Sequence, residues 1–175
     1  NWVIVSNNSS AIDVTQQSDG TLLGIGTDNL LYTSASLTSS WVVVARTDRF
    51  TSISQLKDGT FVGTGLDKML YTRTNLTKNW AVVPNTISAN GILQLKDGSI
   101  LMVGMDNILY TVASLNGTRM QVPSNGSVIG ITQLNNGMIL VVDTKNMLYK
   151  WENFNANWVL VANGGGMIGV AALST

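Results

Sequence analysis

The sequence predicts an all-β fold, a β-propeller made of four-stranded repeats, and three observations support that prediction. A segment at residues 59–71 (GTFVGTGLDKMLY) occurs four times at an unbroken step of 39 residues. Each repeat contains four short apolar runs, and a turn signal lies on either side of the third run. A fixed period without slippage is the signature of a repeat architecture, and four antiparallel strands per repeat describe a propeller blade.

Several residue types keep the same step of 39 residues. The repeated positions are Tyr32, Tyr71, Tyr110 and Tyr149, then Gln16, Gln55, Gln94 and Gln133, then Trp2, Trp41, Trp80 and Trp158, with Arg119 in the remaining tryptophan place. We therefore predict one propeller domain over residues 1–175, with repeats at 2–40, 41–79, 80–118 and 119–157 and a partial repeat at 158–175. More than three copies disfavour a trefoil or a three-sided prism.

The four runs of the second repeat lie at residues 41–45, 50–56, 60–65 and 69–73. They are short and rich in Val, Ile, Leu, Thr and Tyr, which is typical of strands. We expect the run ending in glutamine to be innermost and the run beginning with tryptophan to be outermost. Pro84 and Pro123 follow the tryptophan runs of two repeats, and proline is confined to edge strands. No capping box or helical spacing predicts a helix.

Two turns divide each repeat. The first is Lys57-Asp58-Gly59 in the second repeat, and Asp-Gly or Asn-Gly supplies the positive φ that a tight hairpin needs. The second is Asp67-Lys68. Six of the nine aspartates fall in these two turns, whereas Asp13, Asp48 and Asp143 lie off the pattern. We therefore interpret the repeated aspartates mainly as turn formers.

The ends do not form a complete repeat. Residues 158–175 copy residues 2–19, which leaves an outer strand at the start and an inner strand at the end. These two strands could form a two-stranded fifth blade, or they could pair with another chain and give a homodimer. A free strand edge is an aggregation hazard, so we expect the C-terminal strand to be buried, either beside the strand at residues 2–6 or in a subunit contact.

Composition excludes several classes of function. Ten basic and ten acidic residues leave no net charge, so neither nucleic acid nor an anionic membrane surface is indicated as a partner. No stretch is long and apolar enough for a membrane-spanning helix. Histidine and cysteine are absent, and Glu152 is the one glutamate. We therefore expect no enzyme activity, no cofactor and no metal site.

The best candidate binding groups are polar residues that share one predicted face. In an up-and-down blade, the turn between strands two and three lies on the same face as the link to the next blade. The candidates are Asp28, Asn29, Asp67, Lys68, Asp106, Asn107 and Asn146 in the turns, Asn7, Asn8, Arg46, Asn85, Asn125 and Asn163 in the links, and Trp41 and Trp80 as aromatic platforms. Such groups suit polyhydroxylated ligands, although turn chemistry and packing explain them as well.

The tryptophan-initiated repeats with their Asp-Gly hairpin and their L-Y-[TK] strand resemble the tachylectin-2 and tectonin group of propeller lectins. The resemblance covers nearly the whole chain, and the hairpins are also similar to those of Asp-box sialidase propellers. It implies binding of N-acetylated sugars, one site per blade, in innate defence or as an agglutinin. The partial fifth repeat departs from that family, and no ligand residue of the family maps onto a position of this chain.

From these observations we predict a multivalent lectin that recognises N-acetylated or related surface glycans without catalysis. The main alternative is a structural or protein-interaction propeller, and a glycosidase is a weaker one. We expect secretion, because a lectin for surface glycans acts outside the cell and the first residue is Asn1 rather than methionine. Five Asn-x-Ser/Thr triplets, at Asn7, Asn8, Asn75, Asn116 and Asn125, weakly favour the same location.

Overall fold

The computed structural model describes residues 10–45, 48–84, 88–123, 126–161 and 166–172. In these ranges sixteen strands form four antiparallel four-stranded sheets, the blades of a β-propeller. No helix occurs in them, so the described part of the chain contains none that could cross a membrane. The predicted fold class is therefore confirmed.

Within each blade the strands follow one another in sequence order from the innermost to the outermost. The first blade comprises β1 (Ala11–Gln16), β2 (Leu22–Gly26), β3 (Leu31–Ser34) and β4 (Val42–Ala45). The second comprises β5 (Phe50–Gln55), β6 (Phe61–Gly65), β7 (Leu70–Arg73) and β8 (Ala81–Val82). The third comprises β9 (Ala89–Gln94), β10 (Ile100–Gly104), β11 (Leu109–Val112) and β12 (Arg119–Gln121). The fourth comprises β13 (Val128–Gln133), β14 (Ile139–Asp143), β15 (Leu148–Trp151) and β16 (Val159–Leu160).

The inner strands β1, β5, β9 and β13 pack side by side around a central cavity. The outer strands β4, β8 and β16 follow Trp41, Trp80 and Trp158, and β12 begins at Arg119, as the sequence predicts. Pro84 and Pro123 come just after the outer strands β8 and β12. Because an outer strand has one unpaired side, a proline near its end interrupts no ladder between strands.

Both turns of each blade are three-residue hairpin loops whose last residue is left-handed. In the first turn that residue is a glycine, with φ between 86° and 94° at Gly20, Gly59, Gly98 and Gly137. The preceding aspartates do not adopt positive φ. Instead, Asp58 Oδ1 accepts the Thr60 N–H at 2.9 Å, and equivalent bonds occur at Asp19 and Asp97. The aspartates therefore cap the turn, as predicted, while the glycine alone supplies the left-handed conformation.

The hydrophobic core lies between neighbouring blades rather than inside one blade. The second strand of each blade is the most buried, since both its faces are covered. Leu23 and Ile25 of the first blade pack with Phe50 and Ile53 of the second. Similar clusters join the second blade to the third and the third to the fourth. Each blade therefore depends on its neighbours for stability.

Residues 166–172 lie beside β13, and residues 168–172 line the central cavity. The Met167 N–H donates to the Asn146 carbonyl at 3.1 Å. The segment is not a strand, and Ile168 is 74% exposed. Within the described ranges no second strand pairs with these residues, and our expectation that the C-terminal strand is buried beside residues 2–6 or in a subunit contact stays a prediction. The strand expected at residues 2–6 lies outside the described residues.

Candidate functional site

We use the name turn face for the side of the propeller formed by the loops 27–29, 66–68, 105–107 and 144–146 and by the described residues that lead into the next inner strand, at 48–49, 88 and 126–127. Backbone hydrogen bonds join these loops to the first residue of the following inner strand. The N–H groups of Phe50, Ala89 and Val128 donate to the carbonyls of Asn29, Lys68 and Asn107 at 2.9, 3.1 and 2.7 Å. The turns and the described ends of the links therefore share one face, as the up-and-down topology predicts.

Three candidate carboxylates on the turn face are committed to local bonds. Asp28 Oδ1 accepts the Leu30 N–H at 3.0 Å, and Oδ2 accepts the Tyr32 hydroxyl at 2.7 Å. Asp67 and Asp106 repeat both bonds, the second of them with Tyr71 and Tyr110. Both oxygens of each carboxylate are thus engaged within the blade. The tyrosines of the repeat thus donate hydrogen bonds to these carboxylates, a role that the sequence analysis did not predict.

These pairs shift the acidity of both partners. The tyrosine hydroxyl lowers the pKa of Asp28 and of Asp106 below the ordinary value, and the carboxylates raise the pKa of Tyr32 and Tyr110 in return. The exposed carboxylates on the first and third blades therefore stay charged at mildly acidic pH. They contribute fixed negative charge to the turn face.

Glycine precedes each of these carboxylates for a steric reason. A Cβ on Gly65 would lie 2.6 Å from Asp67 Oδ1 and 2.8 Å from Tyr71 Cε2, and Gly26 and Gly104 are similarly crowded. In the fourth blade an aspartate stands at the position of this glycine, and the usual aspartate is absent. There Asp143 replaces the glycine, Lys145 replaces the aspartate, and Asp143 Oδ1 accepts the N–H groups of Lys145 and Met147 at 2.9 and 2.8 Å.

The second candidate position in each turn is left-handed, with φ of 65° at Asn29, 67° at Lys68, 61° at Asn107 and 63° at Asn146. Asparagine tolerates this conformation well. The Asn107 side chain is occupied, since its Oδ1 accepts from Asn90 Nδ2 at 3.3 Å. Asn146 is exposed, while the other three are half-buried. The structure therefore gives these residues a backbone role and leaves their ligand-binding role a prediction.

The two candidate tryptophans pack against their own blades. Trp41 covers Gly24, where an added Cβ would lie 3.0 Å from the ring. Trp80 packs on Phe50, with ring centroids 4.5 Å apart, and the guanidinium of the buried Arg73 lies 4.4 Å from its centroid. Both tryptophans are half-buried by these contacts, and their role as stacking platforms stays a prediction.

Three apolar side chains in or next to the turn-face loops of the second and third blades are exposed. Leu66 is 49% exposed, Met69 37% and Met105 47%. We call these three residues the apolar arc. Leu66 and Met69 flank Asp67 along the chain, and Met105 precedes Asp106; each of these carboxylates already accepts two hydrogen bonds. Exposed apolar side chains in the loops of one face mark interaction surfaces, and methionine adapts its shape to different partners.

The central cavity has a volume of about 110 Å³, and Asp13 is the one charged side chain among the described residues that line it. Its Oδ2 accepts the Ile53 N–H at 2.8 Å, which ties the first blade to the second. Burial raises the pKa of Asp13 to about 6, although hydrogen bonds from Ile53, Ser52 and Val14 oppose the rise. Ser52 and the glycines at 91, 130 and 169 occupy the equivalent positions.

The repeated glutamines link consecutive blades on the face opposite the turn face. Oε1 of Gln55, Gln94 and Gln133 accepts a backbone N–H from the preceding blade, at Ser18, Lys57 and Lys96 respectively, at 2.7–2.8 Å. Each Nε2 donates to a turn carbonyl of its own blade. Lys57 Nζ also donates to the Lys96 carbonyl. These amides are satisfied, as expected, and they join blades rather than bind a ligand.

Replacing Gln94 by alanine should destabilise the protein by about 1–2 kcal/mol, because the bonds to Lys57 and Gly98 are lost together. Urea unfolding at pH 7 would measure the change. Gln121→Ala is the matched control, since Gln121 is an exposed residue of the outer strand β12. An equal effect of the two substitutions would contradict a linking role for Gln94.

Some candidates lie outside the described residues. Asn7, Asn8, Arg46, Asn85, Asn125 and Asn163 belong to this group. Among the described side chains, no three acidic groups come together in a way that could hold a metal ion.

The apolar arc and Asp13 are the features that sequence reasoning missed or left unexplained. A signal for the arc was present, because the loops read Thr-Asp-Asn, Leu-Asp-Lys, Met-Asp-Asn and Thr-Lys-Asn, and apolar residues are unusual in turns. Asp13 stood off the repeat, but nothing in its neighbourhood along the chain indicates that it lies in the cavity.

No protein-family model matches the sequence, and no curated protein matches it either. Solved structures do match. A structure of YCF48 bound to the D1 peptide has a TM-score of 0.59 at 13% identity, covering 97% of this chain and 59% of that one. YCF48 from Cyanidioschyzon merolae has a TM-score of 0.52 at 16% identity, with coverages of 95% and 61%. A protein assigned as a gluconolactonase has a TM-score of 0.62 at 13% identity, with coverages of 92% and 63%.

These similarities establish the propeller fold and do not extend to function, because the sequence identities are low. This chain spans about three fifths of the length of the matched structures. None of the three is named a tachylectin or a tectonin. The family resemblance in the sequence is thus supported at the level of the propeller and no further.

Proposed function

We propose that this propeller binds a protein partner through the apolar arc on its turn face. The observation that carries the proposal is the exposure of Leu66, Met69 and Met105 on two consecutive blades. The same loops hold carboxylates in which each oxygen already accepts one hydrogen bond, from a tyrosine hydroxyl or a backbone N–H. The exposed apolar side chains beside them suit an apolar peptide segment better than a sugar.

The comparison with YCF48 supports the same class of function. That propeller was solved with a bound peptide. The alternative that the sequence left open, a protein-interaction propeller, therefore has a structural counterpart. The propeller's rigidity also favours this use, since interblade cores and glutamine links hold the loops of neighbouring blades in fixed relation.

Peptide phage display against the protein should select sequences rich in apolar residues. Synthetic versions should bind at least tenfold more weakly to the Met69→Lys/Met105→Lys variant, because the substitutions place two charges in the apolar contact. Val42→Lys is the matched control, since Val42 is 61% exposed on the outer strand β4, away from the turn face. Selected peptides that bind both variants equally would show that the arc is not the site.

Carbohydrate binding is the second candidate, and one observation supports it. Polar side chains recur on the turn face in all four blades, at Asp28, Lys68, Asn107 and the exposed Asn146 among others. Equivalent weak sites would add avidity on a glycan surface. A glycan array that includes N-acetylated, sialylated and neutral sugars decides between the two. Binding that Asn146→Ala weakens and Met105→Lys leaves unchanged would replace our proposal with the lectin.

A further inference from the structure

The sulfur chemistry of this chain is confined to methionine. The sequence contains seven methionines and no cysteine, and all seven lie within the described residues. Where no thiol competes for peroxide, the thioether is the side chain that is oxidised most readily. Met69 is 37% exposed, Met105 47% and Met120 68%, whereas Met102 in the core is 2% exposed. Accessibility to solvent therefore separates sulfurs that peroxide can reach from sulfurs that it cannot.

Two of the three exposed methionines belong to the apolar arc. The turn that carries Met69 is held by backbone bonds, since the Gly65 N–H donates to the Met69 carbonyl at 3.0 Å and the Met69 N–H donates to Asp67 Oδ1 at 3.1 Å. Met105 lies inside the equivalent turn of the third blade, which has the same two bonds. Because these bonds do not involve the thioethers, a chemical change at sulfur alters the surface of the arc and leaves the turns in place.

The reaction of a thioether with hydrogen peroxide is simple to balance. A sulfur lone pair attacks one peroxide oxygen, an S–O bond forms, the O–O bond breaks, and the second oxygen leaves as water after proton transfer. The sulfur is oxidised by two electrons and the peroxide is reduced. The sulfoxide is polar and carries an oxygen that accepts hydrogen bonds, so a partner that covers it must remove its water. Methionine sulfoxide reductases restore the thioether.

We infer that Met69 and Met105 form a modification site for peroxide, and that their oxidation to sulfoxides switches off binding at the apolar arc. The second half of this inference rests on the proposed function. Two sulfoxides leave Leu66 as the one apolar member of the arc, and a partner that needs a dry apolar contact loses most of it. Because the reductases reverse the change, the arc responds to the peroxide level around the protein.

Peroxide titration followed by mass spectrometry of proteolytic peptides tests the modification. Met69 and Met105 should be oxidised about tenfold faster than Met102, in accord with their exposure. The melting temperature should not change while Met102 is still reduced. Binding of a peptide selected by phage display should weaken about tenfold in the oxidised protein, and treatment with methionine sulfoxide reductases should restore it.

The repeat supplies an oxidation-resistant variant of the arc. Leucine already stands at both positions in other blades, because Met69 is equivalent to Leu30 and Met105 to Leu66. Met69→Leu/Met105→Leu should therefore fold, keep an apolar surface and bind the peptide equally well before and after peroxide treatment. Met120→Leu is the matched control. It removes an exposed sulfur from the outer strand β12, and this variant should lose binding after peroxide treatment as the wild type does.

Three results would overturn the inference. Met102 could be oxidised as fast as Met69 and Met105, the oxidised wild type could bind the peptide as tightly as the reduced protein, or the double leucine variant could lose binding after peroxide treatment. Failure of the proposed function looks different. In that case no peptide is selected, or Met69→Lys/Met105→Lys binds normally, and the regulatory half falls with it. The order of oxidation is still decided by mass spectrometry, which needs no partner.

Discussion

Replacing Asp13 by asparagine is expected to stabilise the propeller by about 3 kcal/mol at pH 7. Among the described residues that line the central cavity, Asp13 is the one charged side chain, and none is a lysine or an arginine. Burial raises its pKa from 3.8 to about 6. At pH 7 the side chain is ionised in the folded protein, and this buried charge lowers the free energy of unfolding. Asparagine keeps an oxygen that can accept the Ile53 N–H and removes the charge. The expected size follows from the shift at 1.36 kcal/mol per pKa unit.

The same shift predicts a pH dependence of definite sign. Between pH 3.8 and about 6 the folded protein binds more protons at Asp13 than the unfolded chain does. The free energy of unfolding contributed by this group therefore falls as pH rises through that window, and is constant on either side of it. The exposed carboxylates Asp28 and Asp106 have lowered pKa values, so they act in the opposite direction and at lower pH.

Urea unfolding of the wild type and of Asp13→Asn from pH 3.5 to 7.5 would isolate this contribution. The two proteins should be similar in stability at the lowest pH, and the variant should gain steadily up to about pH 6.5. Asp58→Asn is the matched control, because the fourth blade already has Asn136 at the equivalent turn position, where it accepts the Met138 N–H at 3.1 Å. A stability difference between wild type and Asp13→Asn that does not change with pH would contradict the shifted pKa.

The second large effect is expected at Gly65. Gly65→Asp should cost about 2–3 kcal/mol, because its Cβ would lie 2.6 Å from Asp67 Oδ1 and the new carboxylate would face an existing one. The double change Gly65→Asp/Asp67→Lys reproduces the arrangement of Asp143 and Lys145 in the fourth blade. The double variant should therefore recover most of the loss.

A double-mutant cycle measures this compensation. Asp67→Lys alone should cost about 1 kcal/mol, since the bonds to Met69 and Tyr71 are lost. The coupling between the two substitutions should exceed about 1 kcal/mol and favour the double variant. If the losses in free energy of unfolding of the two single variants simply add in the double variant, our explanation is wrong. The fourth blade would then accommodate Asp143 for a reason other than the replacement of its turn aspartate by Lys145.

Much of the fold could be predicted from the sequence because its determinants are local. The left-handed glycine of the first turn and the aspartate that caps it lie within three residues of each other, as at Asp58 and Gly59. Strand order within a blade also follows from short connections, since consecutive strands joined by tight turns pair with one another. The 39-residue step then repeats these local decisions in every blade.

The candidate site was predictable in position but not in chemistry. The sequence placed Asp28, Asp67 and Asp106 in loops of one face, and the structure has them there. It could not show that each carboxylate is engaged by the tyrosine four residues later, because that contact requires the loop geometry. It also could not show that Trp80 is packed on Phe50, a residue thirty positions earlier in the chain.

The sequence by itself therefore determined the repeat, the strands, the turns and the propeller. Only the tertiary structure decided which side chains are exposed and can contact a partner. Exposure depends on what neighbouring blades and loops cover, as the contrast between the buried Thr132 and the exposed Ala171 at equivalent repeat positions shows. The pKa of Asp13 has the same origin, since desolvation is caused by strands that lie far away in sequence.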